Sequence, residues 1–462
     1  MIMGESDEFD IVLLNGRVMD PESGLDDIRN IGIRNGTITA IDTKPLSGKI
    51  ILDVKDLVVC PGFIDVHCHS QDKEHYALKA QDGVTSVFEL EVGTNDVDKW
   101  YNERKNNSLI NYGVGIGHIQ VRMKIYNHSP AFLPKADSPA AIQQATDDDL
   151  EKIKNEIEFG IKRGAMALGF GIHYTPGASR WEIIECFRLV KKYNISAHVH
   201  MRYFGAQEVD GSMAALEEII AVCVCTGATT HICHIHSTSL TATSKNLQLI
   251  SEAYSNGINI TTEYYPYTAG CSSIDSFIFD GNWREQLNID YKDLQYVSTG
   301  ERLTRETFEK YHQIGGSVII YSIPEQAVDD CIKHPLAFMA SDALKGHPRA
   351  AGSCARILGH YVRERNIISL MEAIKQMTLM PARQLESASS QMKKKGRISI
   401  DADADICVFD PRTIHDQATY EQPTIPSSGI QHVLVNGVVI LQDKCLKNNV
   451  TPGCAIRGPL SD

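Results

Sequence analysis

Between residues 60 and 386, short apolar runs alternate with polar turns and amphipathic stretches of helical length. That alternation restricts the fold more than any other feature of the chain. A parallel strand needs a crossover of a dozen or more residues before its neighbour and is covered on both faces, so it reads as a nearly continuous apolar run. Strands are expected at residues 84–90, 112–118, 165–170, 196–200, 230–234, 259–263, 318–321 and 338–341, with helices at 150–163, 180–192, 214–226 and 243–256. The run from Val58 to His69 adds one further buried strand, too short for a helix and too continuous for a half-exposed strand. Nine candidates are one more than a closed (β/α)8 barrel requires, so one of them is expected to be a spare element.

The two chain ends have a different texture. Residues 10–56 carry short alternating runs with Asn15-Gly16 and Asn35-Gly36 turns, and the pattern returns in Ile406-Cys407-Val408-Phe409 and in His432-Val433-Leu434-Val435-Asn436-Gly437. Asn-Gly between alternating runs is a hairpin signal. Neither end has enough strands to enclose a core. A composite β-sandwich from residues 1–59 plus 387–462 is therefore expected, with the barrel at 60–386 inserted and an irregular insertion around 276–315 over its mouth.

In such a barrel, functional groups stand where strands end at the C-terminal face. The first strand ends in His67 and His69, which alternation places on one side about 6–7 Å apart at their Cα atoms, with Cys68 facing away. An isolated His-x-His is as often two ordinary strand-end histidines as a metal site. Here, however, the second strand ends in Glu89 and Glu91, the central strands in His198 and His200 and then in His234 and His236, and the last in Asp342. Imidazole or carboxylate at five separate strand ends is the ligand set for one or two zinc ions per chain. Such an ion lowers the pKa of a bound water from about 15.7 to about 7, which serves hydrolysis. Asp342 is placed to carry the proton from water to leaving group, against the blander role of capping the next helix. Within this set, Glu91 is preferred over Glu89 as the strand-2 ligand because it lies nearer the strand end. His198 reads as a packed histidine, and Cys60, His173 and His231 as structural.

Composition narrows the class further. A formal net charge of −13 over 462 residues, without a basic cluster, disfavours nucleic acid as a partner. No apolar run approaches the roughly 18–20 residues of a membrane span, and the acidic N-terminus has no signal-peptide pattern, so a cytoplasmic location is expected. The 12 cysteines are scattered through apolar segments and read as reduced thiols, Cys223 and Cys225 included. The expected partner is a small molecule, and homo-oligomerisation is compatible with everything above.

The motifs Pro61-Gly62-Phe63-Ile64-Asp65-Val66-His67-Cys68-His69, Gly83-Val84-Thr85, Gly164-Ala165-Met166-Ala167-Leu168-Gly169, Tyr174-Thr175-Pro176-Gly177, His200-Met201-Arg202, Tyr265-Pro266-Tyr267, Ser341-Asp342, His347-Pro348-Arg349 and Ala418-Thr419-Tyr420-Glu421-Gln422-Pro423 together resemble the amidohydrolase superfamily, and within it the D-aminoacylase (N-acyl-D-amino-acid deacylase) branch. The resemblance spans nearly the whole chain. It implies hydrolysis of a linear amide in an N-acyl (D-)amino acid or related N-acyl carboxylate. By position, His67, His69 and Asp342 would bind a first metal and His200 and His234 a second, with Asp342 as general acid/base. Tyr265 and Arg349 would hold the substrate carboxylate. The chain departs from the pattern in three places. Glu89-Leu90-Glu91 stands where D-aminoacylases have a cysteine ligand, His236 where they have a substrate-contacting lysine, and residues 165–171 lack the strand-4 lysine that bridges metals in many amidohydrolases. His236 is therefore a candidate substrate contact. The alternatives are a cyclic amidase of the dihydroorotase or hydantoinase type, and a non-catalytic scaffold, which would be expected to have lost ligands.

Overall fold

The computed structural model describes residues 8–447 and 449–461. Residues 1–7, Asn448 and Asp462 lie outside the described residues, and with the first of these lies most of the N-terminus on which the absence of a signal peptide is read.

Eight strands form one sheet in chain order: β1 (Phe63–Asp65), β2 (Val84–Thr94), β3 (Asn111–Gly117), β4 (Ala167–Gly171), β5 (Ser196–His200), β6 (Thr229–Ile232), β7 (Ile260–Tyr264) and β8 (Ala337–Met339). Each neighbouring pair is parallel. The amphipathic helices cover the sheet from outside. The helix Asp147–Lys162, for example, starts at a reciprocal cap between Thr146 and Asp149 and buries Leu150, Ile153, Ile157 and Ile161 at helical spacing.

Among the described residues no ladder joins β8 back to β1; polar side chains and a single parallel bridge between Cys68 and Ala343 close that seam. Asp65 accepts hydrogen bonds from the Ser341 amide at Oδ1 (2.9 Å) and from the Ser341 hydroxyl at Oδ2 (2.5 Å), and the buried Lys79 ammonium stands 2.9 Å from the same Oδ2. Burial works against the charge on Lys79, but Asp65 outweighs it and raises the ammonium pKa. The His69 and Ser70 amides then both donate to the Ala343 carbonyl at 3.1 Å. The backbones that carry His67, His69 and Asp342 are thus tied together before their side chains are considered.

The spare ninth run is Ser317–Ile320. It lies in a separate three-stranded antiparallel sheet with Gly270–Ser273 and Leu294–Tyr296, inserted between β7 and β8. A buried antiparallel strand and a barrel strand have the same apolar signature, so only pairing separates them. The region expected to be irregular therefore contains regular structure, including the helix Arg305–Ile314.

Both chain ends meet in one nine-stranded sheet, joined where Val58–Pro61 pairs antiparallel with Ile406–Phe409. Its own core contains Ile11, Leu13, Ile31, Ile33, Ile406 and Leu434. The single strand expected from Val58 to His69 is in fact two. The Gly62 amide makes the last bond of that pairing, to the Asp405 carbonyl, and the chain then passes from the nine-stranded sheet into β1. The C-terminal residues do not stay with that sheet: Ile456 donates its amide to Tyr112 of β3, and Tyr101 donates its hydroxyl to the Ile456 carbonyl at 2.6 Å. Among the described residues no helix is long and apolar enough to cross a membrane.

Candidate metal centre

The strand that shapes the site is β2. Its Glu89 pairs with Val114 and its Thr94 with Ile116, so β2 advances five residues while β3 advances two. The surplus forms a bulge at 90–93 that is pushed across the barrel mouth. Glycine makes room for it: a Cβ at Gly117 would lie 1.8 Å from the Val92 carbonyl oxygen, and one at Gly169 on β4 would lie 2.0 Å from that of Glu91. Strand 4 thus presents no side chain here because the β2 backbone occupies the space.

Glu91 is the centre of the cluster. One of its oxygens lies 2.7 Å from His67 Nε2 and 3.3 Å from His69 Nε2, while the other lies 2.8 Å from His200 Nδ1 and 3.7 Å from His234 Nε2. Asp342 Oδ1 completes the first group, 3.1 Å from His69 Nε2 and 3.5 Å from His67 Nε2. Two overlapping sets result, His67, His69, Glu91 and Asp342 on one side and Glu91, His200 and His234 on the other. Donors on one tetrahedral zinc stand about 3.3 Å apart, given metal bonds of about 2.0–2.1 Å. The separations in both sets scatter around that value. Glu91 Oε1 and His200 Nδ1 are close, yet neither makes a hydrogen bond. Two donors aimed at a common third point have this geometry, and the set fits a divalent ion in each group.

The electrostatics point the same way. Burial would strip the proton from His67, but Glu263, Asp342 and Glu91 outweigh it and hold the imidazole well above its ordinary value. His69 is raised in the same manner, chiefly by Glu89. Burial likewise opposes ionisation of Glu91 and Asp342, and the surrounding cations win: His67 for Glu91, Arg349 and His67 for Asp342, both held below the usual carboxylate range. The pocket floor thus attracts positive charge. Two of the donors also sit on strained backbone, with φ of 29° at His234 and 48° at Asp342. Asp342 is not a helix cap, since the next helix, Arg349–Arg356, starts after Pro348.

Above this floor is a pocket open to solvent. Its walls are mainly apolar, from Phe132, Leu133, Phe204, Ile278, Leu287, Ile320, Ile323 and Leu344, with Tyr174, Ser237, Tyr265, Cys271, Ser272 and Ser322 as polar points. Among the described residues no lysine or arginine lines it.

A sequence profile of the amidohydrolase family matches residues 58–440. The chain belongs to the amidohydrolase family. It is 27% identical to an N-acyl-D-glutamate deacylase and 26% identical to a D-aminoacylase, both from Alcaligenes xylosoxydans xylosoxydans, over 94% of both chains for the first and 96% of this chain and 97% of the other for the second. Among solved structures, the N-acyl-D-glutamate deacylase of Bordetella bronchiseptica, complexed with zinc and a phosphonate mimic of the tetrahedral intermediate, superposes with a TM-score of 0.83 at 24% identity, covering 98% of this chain and all of that one.

In this amidohydrolase the expected donors His67, His69, Glu91, His200, His234 and Asp342 come together, and Tyr265 lines the cavity. Glu89 stands one layer back. It accepts from His69 Nδ1 at 2.5 Å and from the Val92 and Gly93 amides at 3.1 and 3.2 Å. The other two expected substrate contacts do not line the cavity. Arg349 is fully buried, with Nη2 3.0 Å from Asp342 Oδ2 and its guanidinium 4.5 Å from the Tyr265 ring centre. His236 lies behind Tyr265, ring centres 4.3 Å apart. The reason is local: β6 ends at Ile232 and the helix Ile235–Ser239 starts directly after His234, so strand alternation no longer relates the two histidines. Burial first, then the cationic neighbourhood of His234 and Arg349, pushes the His236 pKa down to about 3. His198 is packed as expected, 3.1 Å from the Ser196 hydroxyl. Sequence reasoning assigns no role to Glu263 or Tyr174. Glu263 was findable as a lone carboxylate on an otherwise uncharged, buried strand; nothing in the sequence marks Tyr174 beyond its place in a shared motif.

Proposed function

We propose that this amidohydrolase cleaves the amide bond of N-acyl-D-amino acids whose side chain is neutral. It would use zinc held by His67, His69 and Asp342 on one side and by His200 and His234 on the other, with Glu91 as the bridge. The observation that carries this reading is the division of Glu91, one oxygen facing each pair of histidines. Zinc in such a site activates water and polarises the scissile carbonyl.

The chain's own residues supply the rest. Asp342, kept ionised by Arg349, accepts a proton from the attacking water and passes it to the departing amine. The Tyr265 hydroxyl is a donor for the substrate carboxylate, and Tyr174, whose ring centre is 4.7 Å from that of His200, offers a second donor along the wall. The apolar walls exclude water around the reacting groups and, without lysine or arginine, favour a neutral side chain over a glutamate. The D configuration is supported by the two relatives that match over nearly full length. A cyclic amidase with a strand-4 lysine bridge is disfavoured by Gly169, where a side chain would collide with Glu91.

The test is a panel of N-acetyl-D- and N-acetyl-L-amino acids, apolar and acidic, beside hydantoin and dihydrouracil. The expected result is turnover of the apolar D series. Turnover of the cyclic compounds alone would overturn the reading.

A further inference from the structure

Beneath the proposed metal donors, Glu263 on β7 is 1% exposed and joins three elements. Its Oε1 accepts from His67 Nδ1 in a short hydrogen bond and from the His234 backbone amide at 3.3 Å. Its Oε2 stands 3.0 Å from His231 Nε2. His231 is fixed in turn by the Thr261 hydroxyl, 2.8 Å from its Nδ1, and that hydroxyl is 3.0 Å from the Gln384 side chain. The one carboxylate therefore holds a ring of the first histidine pair and the strained peptide that carries a ring of the second.

We infer that Glu263 is a positioning residue that couples the two metal positions, orienting His67 through its Nδ1–H and fixing the His234 peptide. A carboxylate can only accept, so Nδ1 of His67 must carry a proton, and Nε2 is the nitrogen turned toward Glu91 and Asp342 that a metal would take. A carboxylate on the far nitrogen also increases the basicity of a metal-binding imidazole, and losing such a partner costs roughly 10–100-fold in metal affinity. At His234, φ of 29° is unfavourable for a side chain of this kind, and the hydrogen bond that its backbone N–H donates to Glu263 is one of the contacts that hold it. His231, read from the sequence as structural, serves here as the post that keeps Glu263 turned toward the site.

This inference rests on the metal-centre reading above, and the experiment separates the two. Zinc affinity is measured by chelator competition for the wild type and Glu263→Gln, with thermal unfolding recorded for both. The expected result is a folded variant whose zinc affinity falls about 10–100-fold. A structural residue alone would lower the unfolding temperature and leave the affinity of the folded protein within about twofold, and that result overturns the proposal. Should the variant not fold, 15N NMR of the histidine side chains in zinc-loaded wild type decides: Nδ1 of His67 protonated is expected, and Nδ1 unprotonated contradicts it. Wild type that binds no zinc would overturn the metal-centre reading itself, and this inference with it.

Discussion

Around His67 and His69 both far ring nitrogens are committed, one to Glu263 and the other to Glu89, and the backbone beneath is tied across the barrel seam by Asp65, Lys79 and Ser341. Around His200 and His234 there is little of this. Neither nitrogen of His200 has a hydrogen-bond partner among the described residues, and His234 Nδ1 meets only the Ser237 hydroxyl, at 3.1 Å. One half of the centre is fixed by the protein. The other half would take its final geometry from the metal. Substitutions in the fixed half should therefore act on stability and metal affinity together, and substitutions in the looser half on neither until metal is bound.

The largest effect is expected at Asp342, which belongs to the fixed half and would also move the proton. Asp342→Asn should lower kcat by about 10²–10⁴-fold, or about 3–5 kcal/mol of transition-state stabilisation, in steady-state assays of zinc-loaded protein. A loss under tenfold would remove Asp342 from the chemistry. Next comes the seam. Lys79→Met leaves Asp65 buried without its cation and should cost about 3–5 kcal/mol in chemical denaturation. An unchanged midpoint would mean that the seam does not support the fixed half.

A smaller effect compares the halves directly. Glu89→Gln should weaken zinc binding by about 10–100-fold, whereas Ser237→Ala should change it by less than about threefold. Equal losses would abolish the distinction between the halves. The smallest effect is a pH dependence. The pKa values of His236 and His173 are both pushed down to about 3, by burial first and then by the neighbouring His234 and His200 respectively. Each is neutral in the folded protein and gains a proton on unfolding. Their contribution is therefore intact above about pH 6.5 and declines as pH falls from 6.5 toward 3, by up to about 1.4 kcal/mol per pH unit for each. His236→Leu should remove about 1 kcal/mol from the loss in unfolding free energy between pH 6.5 and 5.5. An unaltered slope would mean that His236 is accessible to protons in the native state.

The barrel was legible because alternation between strand and helix is a local property, and seven of its eight strands follow directly from apolar runs; the eighth, β1, is a three-residue piece of a longer run that the sequence does not divide. The run at 318–321 misled only about partnership, which depends on residues some 50 positions away in Gly270–Ser273. At the site, His67 and His69 converge as expected, although both lie just past the end of β1 at Asp65, where His67 still bridges to Glu89. His236 does not, because a helix begins where the strand would have to continue. Choosing between Glu89 and Glu91 depends on the bulge, and the bulge is written in Gly93 of β2, at φ 61°, together with the glycines of β3 and β4 that make room for it. Arg349 was marked only by the family resemblance, as a contact for the substrate carboxylate; its burial against Asp342, seven residues away across a turn, is not written in the sequence.

The measurement that tests the central claim most directly is zinc content per chain, with hydrolysis assayed on the same samples, for wild type, Glu91→Ala and Glu89→Ala purified without chelators. If Glu91 bridges the two groups, wild type holds close to two ions, and Glu91→Ala loses zinc and activity together. Glu89→Ala then keeps its activity once zinc is supplied in excess. Zinc content unaffected by Glu91→Ala, but abolished by Glu89→Ala, would contradict the account and move the strand-2 ligand to Glu89.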